Sequence, residues 1–328
     1  MDRRDFFAVI SVGVLASPKP VQAQQAGRVY RLGVLRQSAP EPANPRAAPD
    51  PVTTSLRKLG YVVGRNLVTE HRYADGDIGR LPGLARELVR LGPDVIVAVG
   101  PFSIRAAKDA TTSIPIVMYG GTDPVAAGIV ASLAHPGGNI TGVLIAPGIT
   151  LVGKKLELLK ELVPRAARIG FLSPDSMGAQ GQVGQAQKAA TSLHLGLIVA
   201  EVQGGNFDRA FDTLVAGRPS AVFVSNSPSF FRDRKQIIEL AAKHGLPAMY
   251  EWAEQVEEGG LMSYGSSLTW LSERVAAYVD LVFKGAKPAD MPIEQPTRFE
   301  LVINMKTAKA LGLTIPQSLL LRADTVIE

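Results

Sequence analysis

From Arg28 onward, short apolar runs alternate with segments whose apolar residues recur at three- and four-residue spacing. The runs read as buried strands and the spaced segments as amphipathic helices. Strands are predicted over 29–35, 66–73, 94–99, 115–119 and 140–145, then over 168–172, 197–202, 221–225, 247–250 and 261–264. Helices are predicted over 52–59, 78–91 and 103–110, with another beginning near Pro124. The second half adds helices over 151–163, 178–193, 207–215, 231–244 and 271–283. Segment 78–91 sets Ile78, Leu81, Leu84, Ala85, Leu88 and Val89 on one stripe, and Gly92-Pro93 stops it. Segment 151–163 carries Lys154, Lys155, Glu157, Lys160 and Glu161, read as its wet side.

Repeated strand–helix units build parallel sheets covered by helices on both faces. The expected fold class is α/β, with two doubly wound parallel-sheet lobes, a hinge and a central cleft. Residues 28–145 plus about 267–295 are assigned to the first lobe, and 146–266 plus about 296–328 to the second. The tail after Lys284 is too short for a third domain, so it is expected to return and complete the lobes.

Residues 1–25 follow another pattern. Arg3 and Arg4 precede an apolar stretch from Phe6 to Ala16, then Pro18, Pro20 and the small-residue site Val21-Gln22-Ala23. That is the order of an export signal. The apolar stretch falls short of the roughly 20 residues that span a bilayer. The run Arg3-Arg4-Asp5-Phe6-Phe7 resembles a twin-arginine signal. A soluble periplasmic chain is expected after cleavage.

Composition narrows the chemistry. Of 328 residues, 46% are apolar and 20% charged, the balance of a globular protein. The absence of cysteine excludes disulfides, thiolate metal sites and a cysteine nucleophile. With 35 basic against 30 acidic residues and no basic run, no nucleic-acid partner is expected. His71, His135, His194 and His244 show neither metal spacing nor a Ser–His–acid order. No Gly-x-Ser-x-Gly and no phosphate-binding glycine loop occurs. The reading is therefore of a binding protein with no catalytic residue, metal or cofactor.

In open α/β sheets, ligands lie beyond the carboxyl ends of the strands. Those ends supply the candidate ligand-binding residues Gln37, Ser38, Phe102, Ser103, Thr122, Asp123, Asp175, Ser176, Asn226, Ser227, Glu251 and Trp252. Hydroxyls and open N–H groups at helix starts suit a carboxylate. Each of these polar residues is also an ordinary cap or turn former. Phe102 and Trp252 either stack on a ligand or pack the rim. Asp123 and Glu251 either take an ammonium group or serve as a helix cap and a solvated loop charge.

Several longer stretches carry a family resemblance. They are RRDFFAVI at the start, LGYVVGRNLVTEHRYADGDIGRLPGLARELV at 59–89, TTSIPIVM at 111–118, DPVAAGIVASLAHPGGNITGV at 123–143 and KKLELLKELVP at 154–164. MYEWAEQVEEGGLMSYGSSL at 249–268 and the tail from Gly285 to Glu328 complete them. The chain resembles the extracytoplasmic solute-binding proteins of ABC transporters, of the periplasmic-binding type I fold, in a tryptophan- or tyrosine-binding-like branch. The resemblance implies a monomer that captures a small-molecule ligand by lobe closure and delivers it to an inner-membrane permease, with the ATPase engaged indirectly. Its ligand loops fall on the strand ends named above. The Pro-rich loop 40–51 and the segment Ser173-Pro174-Asp175-Ser176-Met177 depart from the family pattern. An aromatic amino acid is the leading expectation; branched-chain amino acids, aromatic acids and other small organic acids are alternatives. A ligand sensor of the same fold without a transport role, and an enzyme on the same scaffold, are the competing functions. Adjacent permease and ATPase genes would favour transport over sensing, and a nucleophile–base pair would favour the enzyme.

Overall fold

A computed structural model describes residues 27–38, 50–121, 123–145, 150–174 and 177–328. The first lobe begins with β1 (Tyr30–Arg36), α1 (Pro51–Lys58), β2 (Leu67–Tyr73), α2 (Leu81–Arg90), β3 (Val95–Val99), α3 (Pro101–Ala110), β4 (Ile116–Tyr119) and β5 (Ile140–Val143). The second follows with α4 (Thr150–Leu162), β6 (Arg168–Pro174), α5 (Met177–Ser192), β7 (Gly196–Val202), α6 (Phe207–Gly217) and β8 (Ala221–Val224). It continues through α7 (Pro228–Arg232), α8 (Arg234–Lys243), β9 (Ala248–Tyr250), α9 (Ala253–Glu257) and β10 (Met262–Gly265). The remainder forms α10 (Leu268–Phe283), β11 (Glu300–Asn304), α11 (Met305–Ala310), α12 (Gln317–Leu320) and β12 (Thr325–Ile327).

Two sheets result, ordered β2-β1-β3-β4-β5 and β12-β11-β10-β9-β8-β6-β7. All pairs in the first are parallel. In the second, β11 runs antiparallel to β10 and the other pairs are parallel. The continuous apolar runs are explained by cover on both faces. Val95 and Val97 of β3 join Leu271 and Val275 in one core, while Ile96 and Ala98 join Leu81, Ala85 and Leu88 in another. In the second sheet, Phe171, Phe223 and Met249 pack towards α4 and α5. Leu172, Val222, Val224 and Tyr250 pack towards α6 and α8.

Helix α10 leaves the second sheet and lies on the first, burying Leu271, Val275, Ala276 and Val279. Tyr61 Oη donates to its Asp280 at 2.7 Å. The chain then runs beside β5, where Leu144 N–H donates to Glu294 O at 2.8 Å and Glu294 N–H to Gly142 O at 2.9 Å. Gly142 has φ +137°, and a Cβ there would lie 2.4 Å from Met118 N, so this close approach of β5 to β4 requires glycine. Ser266 Oγ donates to Ile145 O at 2.7 Å. The passages between the sheets after β5, after β10 and before β11 are thereby tied to one another.

Several local expectations change. The segment after Pro124 is a set of turns, because Ile129 N–H and Val130 N–H both return to Pro124 O and Gly128 takes φ +63°. Segment 231–244 is split between α7 and α8 at Asp233, whose carboxylate is gripped by Arg232 at 2.6 and 2.7 Å. Ile78 lies in a 3-10 turn before α2 and is exposed. Lys155 is not on a wet face: it is 2% exposed. It follows Val152 by three residues and precedes Leu158, Leu159 and Leu162 on the buried stripe of α4.

Candidate functional site

The carboxyl ends of the two sheets face one another and touch. A Cβ on Gly100, at the start of α3, would lie 3.0 Å from Gln37 Oε1 and 3.8 Å from Pro228 Cγ of the second lobe. A Cβ on Gly76, after β2, would lie 3.7 Å from Arg232 Nη1. Trp252, at the end of β9, packs within the first lobe's core.

Among the described residues, six buried polar atoms at these ends have no hydrogen-bond partner: Arg36 Nε, Gln37 Oε1, Thr53 Oγ1, Ser103 Oγ, Ser225 Oγ and Glu254 Oε2. Each belongs to the last residues of a strand or the first turn of the next helix. Buried polar groups are otherwise paired as a rule, and the unpaired ones here gather at the strand ends. The local folding explains the placement. Asp50 caps α1 by accepting from Val52 N–H at 3.0 Å and Thr53 N–H at 3.2 Å, and also pairs with Arg36. One carboxylate thus fixes both the end of β1 and the start of α1. Gly100 starts α3 without a side-chain cap, so the first-turn N–H groups beyond Pro101 face the cleft beside the fully buried Ser103.

The electrostatics differ between the lobes. The first lobe contributes the Arg36 guanidinium, with the Tyr119 phenol near it and donating or accepting with Ser272 Oγ at 2.9 Å. Burial pushes the Tyr119 hydroxyl pKa up. His71, on β2, is held below its ordinary value by burial, opposed by Asp50 and reinforced by Arg36. The second lobe contributes Glu254. Burial pushes its carboxyl above the usual carboxylate range; Glu257 and Glu300 add to the rise and Arg234 opposes it.

The sequence-derived residues separate into groups. Gln37, Ser38 and Ser103 stand at the first lobe's edge, with Gln37 Oε1 and Ser103 Oγ among the unpartnered atoms. Phe102 packs against the first lobe's core under α3. Asp123 is exposed and accepts from Ala126 N–H at 2.9 Å, capping a turn. Asn226 has both backbone groups held by Gln182, at 2.9 and 3.1 Å, and Ser227 bonds Ser229 Oγ at 2.7 Å. Glu251 is buried and pairs with Lys155, so the ammonium beside it comes from the chain itself. Trp252 is 5% exposed and meets Phe231 edge-on. Thr122, Asp175 and Ser176 lie outside the described residues. Arg36, Thr53, Ser225 and Glu254 were missed. Arg36 follows a strand predicted to end at residue 35, Thr53 reads as helix body, Ser225 as the last residue of a strand, and Glu254 lies outside every predicted element. Their common signal is position, at a strand's carboxyl end or in the first turn of the helix that follows it. Among the described residues no cluster of metal-ligating side chains occurs, and no helix is long and apolar enough to cross a membrane.

The profile of the family described as ABC transporter substrate binding protein matches residues 46–327. The chain belongs to this family. Among relatives of this substrate-binding family, a tyrosine-binding protein of Clostridioides difficile (strain R20291) is 27% identical over 261 residues, 79% of this chain and 74% of that one. A conserved domain protein of Vibrio cholerae superposes with a TM-score of 0.80 at 26% identity, covering 91% of this chain and 100% of that one. An ABC domain from Streptococcus pneumonia in complex with L-Trp gives 0.78 at 26% identity, with the same coverages. The two-lobed architecture is that of type I periplasmic-binding proteins.

Proposed function

We propose that the protein is the periplasmic capture component of an ABC importer and holds a small carboxylate-bearing solute, foremost an aromatic amino acid, between its lobes. The observation that carries this reading is the distribution of the unpartnered buried atoms across the apposed edges. Arg36 Nε, Thr53 Oγ1, Ser103 Oγ and the first-turn N–H groups of α3 offer donors for a carboxylate. Gln37 Oε1 and Glu254 Oε2 offer acceptors for an amine. The tyrosine and L-Trp named for two relatives support the aromatic choice. Closure of the lobes about the passages tied by Ser266 and Glu294 would exclude water from these atoms. The amino-terminal segment supplies the export step.

The full chain, expressed with its leader, is expected in the periplasmic extract without its first 25 or so residues, as an export signal requires. In a thermal-shift screen of that material, one aromatic amino acid at about 100 times its Kd should stabilise it by about 2.7 kcal/mol. A screen of amino acids and aromatic acids in which none moves the melting temperature rules the reading out.

Glu254 adds a pH dependence with a definite sign. Only its carboxylate form attracts an ammonium group, and burial raises the pH at which that form is lost. Affinity for an amine-bearing solute should therefore be full above the raised pKa and decline as pH falls through it. The variant Glu254→Gln should bind more weakly and lose the decline at acid pH. Calorimetric titration at neutral and acid pH checks both, and an unchanged slope in Glu254→Gln assigns the dependence elsewhere.

A further inference from the structure

Three strands of the second sheet end on one row of polar residues. Strands β6 and β8 pair Phe171 with Phe223 and Leu172 with Val224, and β8 and β9 pair Phe223 with Met249. Continuing both registers sets Ser173 beside Ser225, and Ser225 beside Glu251. Side chains alternate along a strand, so these three follow Phe171, Phe223 and Met249 on the face towards α4 and α5. Lys155 of α4 closes the row from above. Its Nζ pairs with Glu251 Oε2 and lies 5.5 Å from the Phe223 ring centre. All four residues are almost fully buried: Ser173 at 0%, Ser225 at 2%, Lys155 at 2% and Glu251 at 5% exposed. Among the described residues Ser173 Oγ finds only the carbonyl of its neighbour Pro174, at 3.2 Å. Ser225 Oγ finds no partner among them.

We infer that Ser225, with Ser173 and the Lys155–Glu251 pair, forms a polar subsite of the second lobe that takes a neutral hydrogen-bonding tip on the solute. Phenol, indole N–H and carboxamide groups are the class that fits. The charge count decides against an ionic tip. Lys155 and Glu251 neutralise one another, so a second carboxylate or ammonium would enter a buried site with no counter-charge left for it. A neutral donor or acceptor meets the hydroxyl row without that penalty, and Ser225 can serve either. The inference rests on the reading of the cleft as an amino-acid site: the first lobe and Glu254 hold the charged head, and the row reads the far end. A site whose buried polar atoms await a partner discriminates strongly against an analogue that lacks one.

L-tyrosine and L-phenylalanine differ only in such a tip, and calorimetric titration of the full chain with each is the test. The unmodified protein should prefer L-tyrosine by about tenfold or more. Ser225→Ala should bring the two affinities to within about threefold, through loss of L-tyrosine binding alone, as removal of a neutral hydrogen bond requires. Ser173→Ala, read in the same way, covers the case in which Ser225→Ala does not fold. Equal affinities in the unmodified protein, or a preference that survives both variants, overturn the subsite and leave the cleft reading intact. Binding of none of L-tyrosine, L-phenylalanine, L-tryptophan and L-glutamine to the unmodified protein overturns the amino-acid reading, and the subsite with it.

Discussion

Replacing Lys155 by Met is expected to destabilise the protein by about 3–5 kcal/mol, the usual consequence of leaving one partner of a buried ion pair alone. Lys155 and Glu251 have side chains only 2% and 6% exposed, so solvent screens neither charge. Beyond the Ser225 hydroxyl beside it, the neighbours give Glu251 little relief. Its backbone N–H is already taken by Gln255 Oε1 at 3.2 Å, and β10 presses so closely that a Cβ on Gly265 would lie 2.1 Å from Glu251 O. The Phe223 ring beside Lys155 Nζ offers its face to a cation and nothing to a carboxylate. The double variant Lys155→Met, Glu251→Met should recover most of the loss, because two apolar side chains of similar volume replace two desolvated charges. Urea unfolding of the single and double variants measures both quantities. A single variant as stable as the parent would show that water reaches Glu251.

Lys155 also shows where the sequence was legible and where it was not. The alternation of apolar runs and amphipathic segments placed the strands from β1 to β10 within a few residues, because strands covered on both faces leave continuous hydrophobic signatures. Strands β11 and β12 carry no such mark. Glu300–Asn304 begins and ends on polar residues, and Thr325–Ile327 is a short edge strand with little burial. Lys155 misled for a related reason. Helical spacing put it on the apolar stripe of α4, but its charge argued for solvent. The partner that reconciles the two, Glu251, lies 96 residues away. The same holds for Arg36, whose place in the cleft depends on Asp50 bridging β1 and α1. Strand ends could be named from local pattern. Which of their polar side chains are buried, and which of those already have partners, depends on contacts between distant segments. Asp123 and Glu254 illustrate the difference: both are acids near the start of a turn or helix, yet the first is an exposed cap and the second is half-buried with its Oε2 shut off from solvent.

Trp252→Ala is expected to cost about 3–5 kcal/mol, the range for truncating a buried large aromatic, and to weaken solute binding without any lost contact to the solute. The indole belongs to the end of β9 in the second lobe, yet its apolar neighbours include the first-lobe core built on α1, β3 and α10. Phe231, from the second lobe, meets it edge-on with ring centres 6.5 Å apart. Packing across the lobes contributes only when the lobes are together. Its loss therefore lowers the fraction of closed protein as well as the stability of the whole. A solute that needs the closed form binds with an apparent Kd raised by the reciprocal of that fraction. Trp252→Phe keeps an apolar ring and should retain most of both properties. Small-angle scattering separates this account from direct stacking on the solute. In the packing account, the ligand-free Trp252→Ala protein has a larger radius of gyration than its parent, and saturating solute restores it. If the indole acted by stacking alone, the ligand-free dimensions would be unchanged and only the affinity would fall. An exposure of 5% for the indole makes the first outcome the expected one.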